Sequence, residues 1–273
     1  MKDSPRTIRK SLASIVEQLE LEQPKIVTLD MLGSLAQAAG KNTQNIGDVR
    51  KLAYRLESVG WLGKLRTRGA WEFLPGARAG AYGSQDHLIE FRAQLLVNPS
   101  WKGALAMESA AVLLGFAQRL PQKDTVAIPP GESLPKALST WRRVSISWQD
   151  FWITQIEGLP TWHLEALITG IAIRPSAYHD LPGLAQWLPD AGRKIDAEKL
   201  MVCLIDSPVS VWQRAAYLSL LAGANSTADT LLSKCPPKTS IWFGATRSGG
   251  EYQSTTMIND ADLAPLIRAG VTQ

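Results

Sequence analysis

Apolar positions in the first eighty residues switch between helical and strand spacing, and each switch marks an element. Behind Ser4-Pro5, a cap followed by proline at the first helical position, Ile8, Leu12, Ile15, Val16 and Leu19 recur with helical period. Gln23-Pro24 ends this helix, and Lys25-Ile26-Val27 reads as a short strand. Thr28 caps a second helix with the stripe Leu29, Leu32, Leu35 and Ala36, closed by Gly40. After the turn Lys41–Gln44, a third helix runs from about Thr43 or Asn45 to Ser58. It turns Val49, Leu52, Ala53 and Leu56 inward, and Gly60 stops it. Trp61–Arg66 and Ala70–Leu74 then read as strands around the turn Thr67-Arg68-Gly69. Pro75-Gly76 closes the unit, and the small, glycine-rich run Ala77–Gly83 suits a linker. Helix, helix-turn-helix and hairpin in this order predict a winged helix over residues 1–80.

Residues 81–273 alternate more loosely. Ser84 is expected to cap a helix bearing Leu88, Phe91, Leu95 and Leu96, and Glu108–Phe116 reads as a buried helix. Strands are expected at Thr125–Ile128, Arg143–Ser147 and Phe151–Ile156, then helices near 162–173, 181–188, 195–206, 208–223 and 226–234. A late strand, Ile241–Gly244, precedes a loop-like tail with a final helix near Ala261–Arg268. The fold class is therefore α+β: an N-terminal winged helix-turn-helix domain, then a mixed α/β domain with a small sheet and several helices.

Bulk composition changes this picture little; charge changes it more. At 273 residues the chain suits two domains, with 45% hydrophobic and 20% charged residues. No apolar run approaches a membrane span, and the N-terminus leads into an amphipathic helix, so neither a membrane anchor nor a secretion signal is expected. Cys203 and Cys235 lie in unlike contexts without metal-type spacing, which favours a reduced, cytoplasmic setting. Residues 1–80 hold 13 Lys/Arg against 8 Asp/Glu, whereas residues 81–273 hold 16 against 17. A basic first domain on a near-neutral remainder is the asymmetry expected when one domain meets a polyanion.

Duplex DNA asks for cations around a probe that fits the major groove, and an α-helix fits. With the apolar stripe of the third helix inward, Asn45, Lys51, Tyr54 and Arg55 fall on the opposite face and Arg50 on the flank. Thr43 and Gln44 precede Asn45 at the end where base edges are usually met, and Lys41 lies in the turn. Asn pairs bidentately with adenine and Arg with guanine. Lys64, Arg66 and Arg68 are placed on the hairpin, where a wing meets backbone or minor groove. The competing reading is a small domain with a solvated basic face or a protein-docking winged helix.

Catalytic signals are absent. His87, His163 and His179 form no metal-ligand spacing, and the glycines form no phosphate-cradling loop or dinucleotide fingerprint. Asp196-Ala197-Glu198-Lys199 loosely resembles a nuclease grouping, but at the start of a helix it reads better as a cap and a solvated face. Trp141, Trp148 and Trp152 cluster near strands and are expected in a core or interface. No catalytic residue, metal ligand or cofactor is assigned.

In motif order the chain resembles the AbiEi family, the antitoxin and transcriptional-regulator component of AbiE-type (type IV) toxin–antitoxin systems. The resemblance is carried by Val49–Leu56 with Gly60-Trp61-Leu62, Trp71–Gly76, Glu108-Ser109-Ala110-Ala111 with Gly115, Trp162–Ile168, Asp196–Leu200 and Gln213–Gly223. It covers roughly residues 10–235; the stretch Trp141–Trp162 and the segment from Ser240 onward depart from it. It implies a non-enzymatic protein whose N-terminal domain binds inverted repeats in its own promoter and represses its operon. It further implies that the C-terminal domain counteracts a cognate nucleotidyltransferase-like toxin, leaving direct contact between the two open. The alternatives are a winged-helix regulator without a toxin, whose second domain senses a ligand or dimerises, and a DNA-associated nuclease.

Overall fold

The structure, a computed structural model, describes residues 12–41, 45–76 and 83–271. The expected helix start at Ser4-Pro5 lies outside these residues. The chain forms two compact units, the second beginning at Lys102, with the short stretch Leu134–Ser139 joined to the first.

The first unit runs α1 (Ala13–Glu22), β1 (Ile26–Thr28), α2 (Leu29–Ala38), α3 (Ile46–Ser58), β2 (Leu62–Lys64), β3 (Ala70–Phe73) and α4 (Ile89–Val97). Its sheet is antiparallel in the order β1-β3-β2, which places Trp71 opposite both Val27 and Lys64. This is winged-helix topology. The stripes of the three helices meet as expected: Ile15, Val16 and Leu19 pack with Leu32, Ala36, Val49, Leu52, Ala53 and Leu56 against Trp61, Trp71 and Phe73. Thr28 Oγ1 caps α2 by accepting the Met31 N–H at 3.3 Å. Gly60, with φ of 82°, turns the chain out of α3 into the hairpin.

This unit extends past residue 80, the expected division. Ile89 and Ala93 of α4 pack on Ile26, Leu65 and Ala70. Ser84 does not cap this helix. It accepts the Asp86 N–H, and Asp86 in turn accepts from Leu88 N–H and pairs with Arg92 at 2.9 Å, so a turn consumes the local donors and α4 starts at Ile89.

The second unit is built on a five-stranded mixed sheet in the order β6-β5-β4-β8-β7. Its strands are β4 (Ala104–Leu105), β5 (Thr125–Ile128), β6 (Arg142–Ser145), β7 (Ile153–Ile156) and β8 (Leu159–Trp162), with α5 (Met107–Leu113) between the first two. The strand expected over Phe151–Ile156 begins only at Ile153, after one turn of 3-10 helix. Glu157 and Gly158, with φ of 51° and 74°, then make a tight turn into β8, so Trp162 ends a strand rather than starting a helix.

Helices α6 (Leu164–Ile173), α7 (Leu181–Ala191), α8 (Ala197–Leu204), α9 (Val209–Leu221) and α10 (Asn225–Lys234) stand close to expectation. Every residue of α6 from Leu164 to Ala172 is buried, so this helix forms the centre of the unit. A Cβ on Gly170 would overlap the ring of Trp162, which itself meets Trp152 edge-on at 5.5 Å. Glycine here permits α6 to lie against the indole. Trp152 is buried, whereas Trp148 is partly buried against the same core.

The tail is more structured than its sequence suggests. Strands β9 (Ile241–Phe243), β10 (Glu251–Gln253) and β11 (Ile258–Asp260) form a sheet in the order β10-β11-β9, with α11 (Ala264–Val271) after it. Two α9 residues one turn apart secure it. The buried Gln213 amide donates to the carbonyls of Thr239, Thr256 and Met257 at 2.7–3.1 Å. Tyr217 Oη donates to Asp260 Oδ2 at 2.7 Å, and Asp260 also accepts the N–H groups of Asp262, Leu263 and Ala264 at the entry to α11.

Tyr217→Phe leaves one lone pair of the buried Asp260 unsatisfied. It is expected to cost about 1–3 kcal/mol and to speed limited proteolysis within residues 239–260. An unchanged unfolding midpoint and cleavage rate would refute this anchoring.

Glu165 joins the starts of α6 and α8: its Oε2 lies 2.9 Å from His163 Nδ1, and its Oε1 accepts the Asp196 N–H at 3.0 Å. Burial pushes its pKa up, but the hydrogen bonds from His163 and the Asp196 amide outweigh burial and hold it below the ordinary value. A depressed folded pKa contributes stability fully present above the unfolded carboxylate pKa and lost as pH falls through the folded value. Glu165→Gln should therefore lower the thermal midpoint at neutral pH more than at pH ~3. Equal losses at both would contradict the linkage.

Candidate nucleic-acid interface

Packing of the α3 stripe leaves one face of that helix to solvent. Arg50, Lys51, Tyr54 and Arg55 are all exposed, Tyr54 at 60%. Lys51 pairs with Asp48 across 3.3 Å, an exposed contact of little energetic weight that a phosphate can displace. Tyr54 sets its ring edge-on to Trp71 at 6.4 Å, and Trp71 Nε1 donates to Glu57 at 3.0 Å. An aromatic ring is thus held at the surface from beneath.

Lys41, in the turn before α3, is partly buried. Burial and the nearby charge of Arg55 together push its pKa down. Lys41 and Arg55, from successive elements, therefore lie close enough to feel each other's charge.

Asn45 has a second task that its sequence position did not reveal. Its Oδ1 caps α3 by accepting the Asp48 N–H at 3.1 Å. The cap takes one lone pair of the amide oxygen, so any base contact by this side chain shares that oxygen with the helix start. Thr43 and Gln44 lie outside the described residues. Ile46 was missed by sequence reasoning. It falls on the edge of the apolar stripe, but at the first turn, beyond the core, and is 57% exposed beside Asn45.

On the hairpin, Lys64, Arg66 and Arg68 are exposed. The tip is fixed from α4: Glu90 accepts the N–H groups of Arg66 and Thr67 at 2.6 and 3.0 Å and the Thr67 hydroxyl at 2.9 Å. Thr67 is buried, whereas the flanking Arg66 and Arg68 are exposed. No sequence signal foretold Glu90, because its partners lie more than twenty residues away.

Asp196 accepts the N–H groups of Glu198 and Lys199 at 3.0 and 3.1 Å, capping α8. Among the described residues no group of three or more His, Cys, Asp or Glu is arranged to hold a metal, and no helix is long and apolar enough to cross a membrane. Cys203 and Cys235 are free thiols; burial pushes the Cys203 pKa up to about 12, as does the charge of Glu165.

Comparison with known proteins bears on both units. The fold is shared with the RV2827C protein from Mycobacterium tuberculosis, whose crystal structure superposes with a TM-score of 0.82 at 25% identity, over 99% of this chain and 98% of that one. No curated protein matches at a significant level. Residues 103–221 match the AbiEi antitoxin C-terminal domain, which spans the five-stranded sheet and the helices through α9. This match over the second unit supports an AbiEi-family antitoxin.

Proposed function

We propose that this protein is an AbiEi-type antitoxin and a cytoplasmic DNA-binding autorepressor. In this reading α3 enters the major groove of inverted repeats in its own promoter, and the hairpin meets the flanking backbone. The observation that carries it is the exposed face of α3, where Arg50, Lys51, Tyr54 and Arg55 stand clear of the core beside the Lys41–Arg55 pair. Ile46 at the helix start offers an apolar contact for a thymine methyl, and the Asn45 amide a polar one. Arg66 and Arg68 contribute phosphate contacts from a tip held rigid by Glu90. The C-terminal unit neutralises a nucleotidyltransferase-like toxin; the family match over residues 103–221 supports the antitoxin role.

Titration of the full chain with its promoter duplex should give a log–log salt slope of about −4 to −5, if some four to six cations meet phosphate. Arg55→Ala should cost about 1–3 kcal/mol and relax specificity, whereas Arg68→Ala should weaken cognate and random duplexes alike. Salt-insensitive binding, or equal losses on both duplexes for Arg55→Ala, would sink the assignment.

Asn45 separates its two tasks by substitution. Asn45→Ala should lower stability by about 1 kcal/mol. Asn45→Asp keeps the cap and the stability but removes the amide donor, so it should still lose promoter affinity. Promoter affinity equal to wild type in Asn45→Asp would restrict this residue to capping.

A further inference from the structure

Outside the candidate DNA face, cations also gather in the second unit. A cleft of about 450 Å³ opens in the second unit, lined by Arg119 and Lys123 from the α5–β5 loop, Arg142 from β6, and His179 and Asp180 from the α6–α7 connection, with Glu108 at its floor. We propose that this cleft binds a small phosphate-bearing ligand.

The charges explain why an anion suits it. Both acidic groups are committed to the fold. Glu108 Oε1 accepts the N–H groups of His179 and Asp180 at 2.6 and 3.3 Å, and its Oε2 accepts from Arg142 and Thr125. Asp180 Oδ1 caps α7 by accepting the Gly183 N–H at 3.0 Å. The cations are less completely matched. Arg142 Nη2 is shared between Glu108 and Thr125 Oγ1, while its Nη1 is buried with no hydrogen-bond partner among the described residues. A guanidinium donor without an acceptor is costly, and a small shift of the partly exposed Arg142 side chain turns it to an oxygen in the cleft. Arg119 and Lys123 are exposed at the rim, and neither is paired with a carboxylate among the described residues.

A phosphate group answers this arrangement, because its several oxygens accept from two or three cationic donors at once. The space exceeds a single phosphate. An adjoining hollow of about 620 Å³ shares Arg119 and Asp180 with the cleft and adds the amide side chains of Gln118 and Gln186. A nucleotide therefore fits as well as pyrophosphate, and the two are separable by measurement.

The test is calorimetric titration of the full chain with pyrophosphate and with ATP at near-physiological ionic strength. One site per chain is expected for each probe, with affinity reduced about tenfold or more by Arg119→Ala and by Lys123→Ala. Both side chains are exposed, so the thermal midpoint of the unliganded variants should stay at the wild-type value. Tighter binding of ATP than of pyrophosphate assigns the site to nucleotides; equal binding assigns it to the phosphate group alone. Absence of binding by both probes would overturn the proposal. So would binding that Arg55→Ala abolishes and Arg119→Ala leaves intact, since the anion would then occupy the basic face of the first unit.

Discussion

Glu108 lies where β5, β6 and the connection from α6 to α7 converge, and both its carboxylate oxygens are engaged. Arg142 and Thr125 hold one oxygen to the sheet, and the His179 and Asp180 amides hold the other to the helical layer. The residue is buried beside a largely buried guanidinium, so removing either partner leaves the other charge uncompensated, at about 3–5 kcal/mol. The buried α6 and the edge-on Trp152–Trp162 pair complete the same two-layer arrangement. The α9 residues Gln213 and Tyr217 extend it to the terminal sheet and α11. The AbiEi domain match ends in α9, so this helix both closes the matched domain and anchors the terminal sheet beyond it.

The first unit obeys a simpler constraint. Once Val49, Leu52, Ala53 and Leu56 have filled the core, helical geometry places Lys51, Tyr54 and Arg55 on the far side of α3. Charge on this face is thus a by-product of the apolar stripe that fixes it. The hairpin tip is held differently, by a carboxylate from α4 that takes up two backbone donors and a hydroxyl.

Legibility of the fold tracked the range of the interactions that stabilise each element. Helices α2, α3 and α6–α10 have apolar periodicity and end signals within a few residues, and they stand close to where those signals put them. The Thr28 cap and the turn at Gly60 are local in the same sense. By contrast β4 has two residues, β8 comes after a Glu-Gly turn hidden among tryptophans, and β10 and β11 depend on Gln213 and Tyr217 some forty residues earlier. The α3 surface was legible because it is the complement of a local stripe. Glu90 was not, being a tertiary contact, and the cap that Asn45 makes on the Asp48 N–H went unread although it is local to the helix start.

The proposed recognition of DNA by the first unit is tested most directly by hydrogen–deuterium exchange of the full chain with and without its promoter duplex. Protection is expected in α3 and across the hairpin from Leu62 to Phe73, with little change in α6 or α9. Protection confined to the second unit, or no protection anywhere at saturating duplex, would contradict DNA recognition by the winged helix.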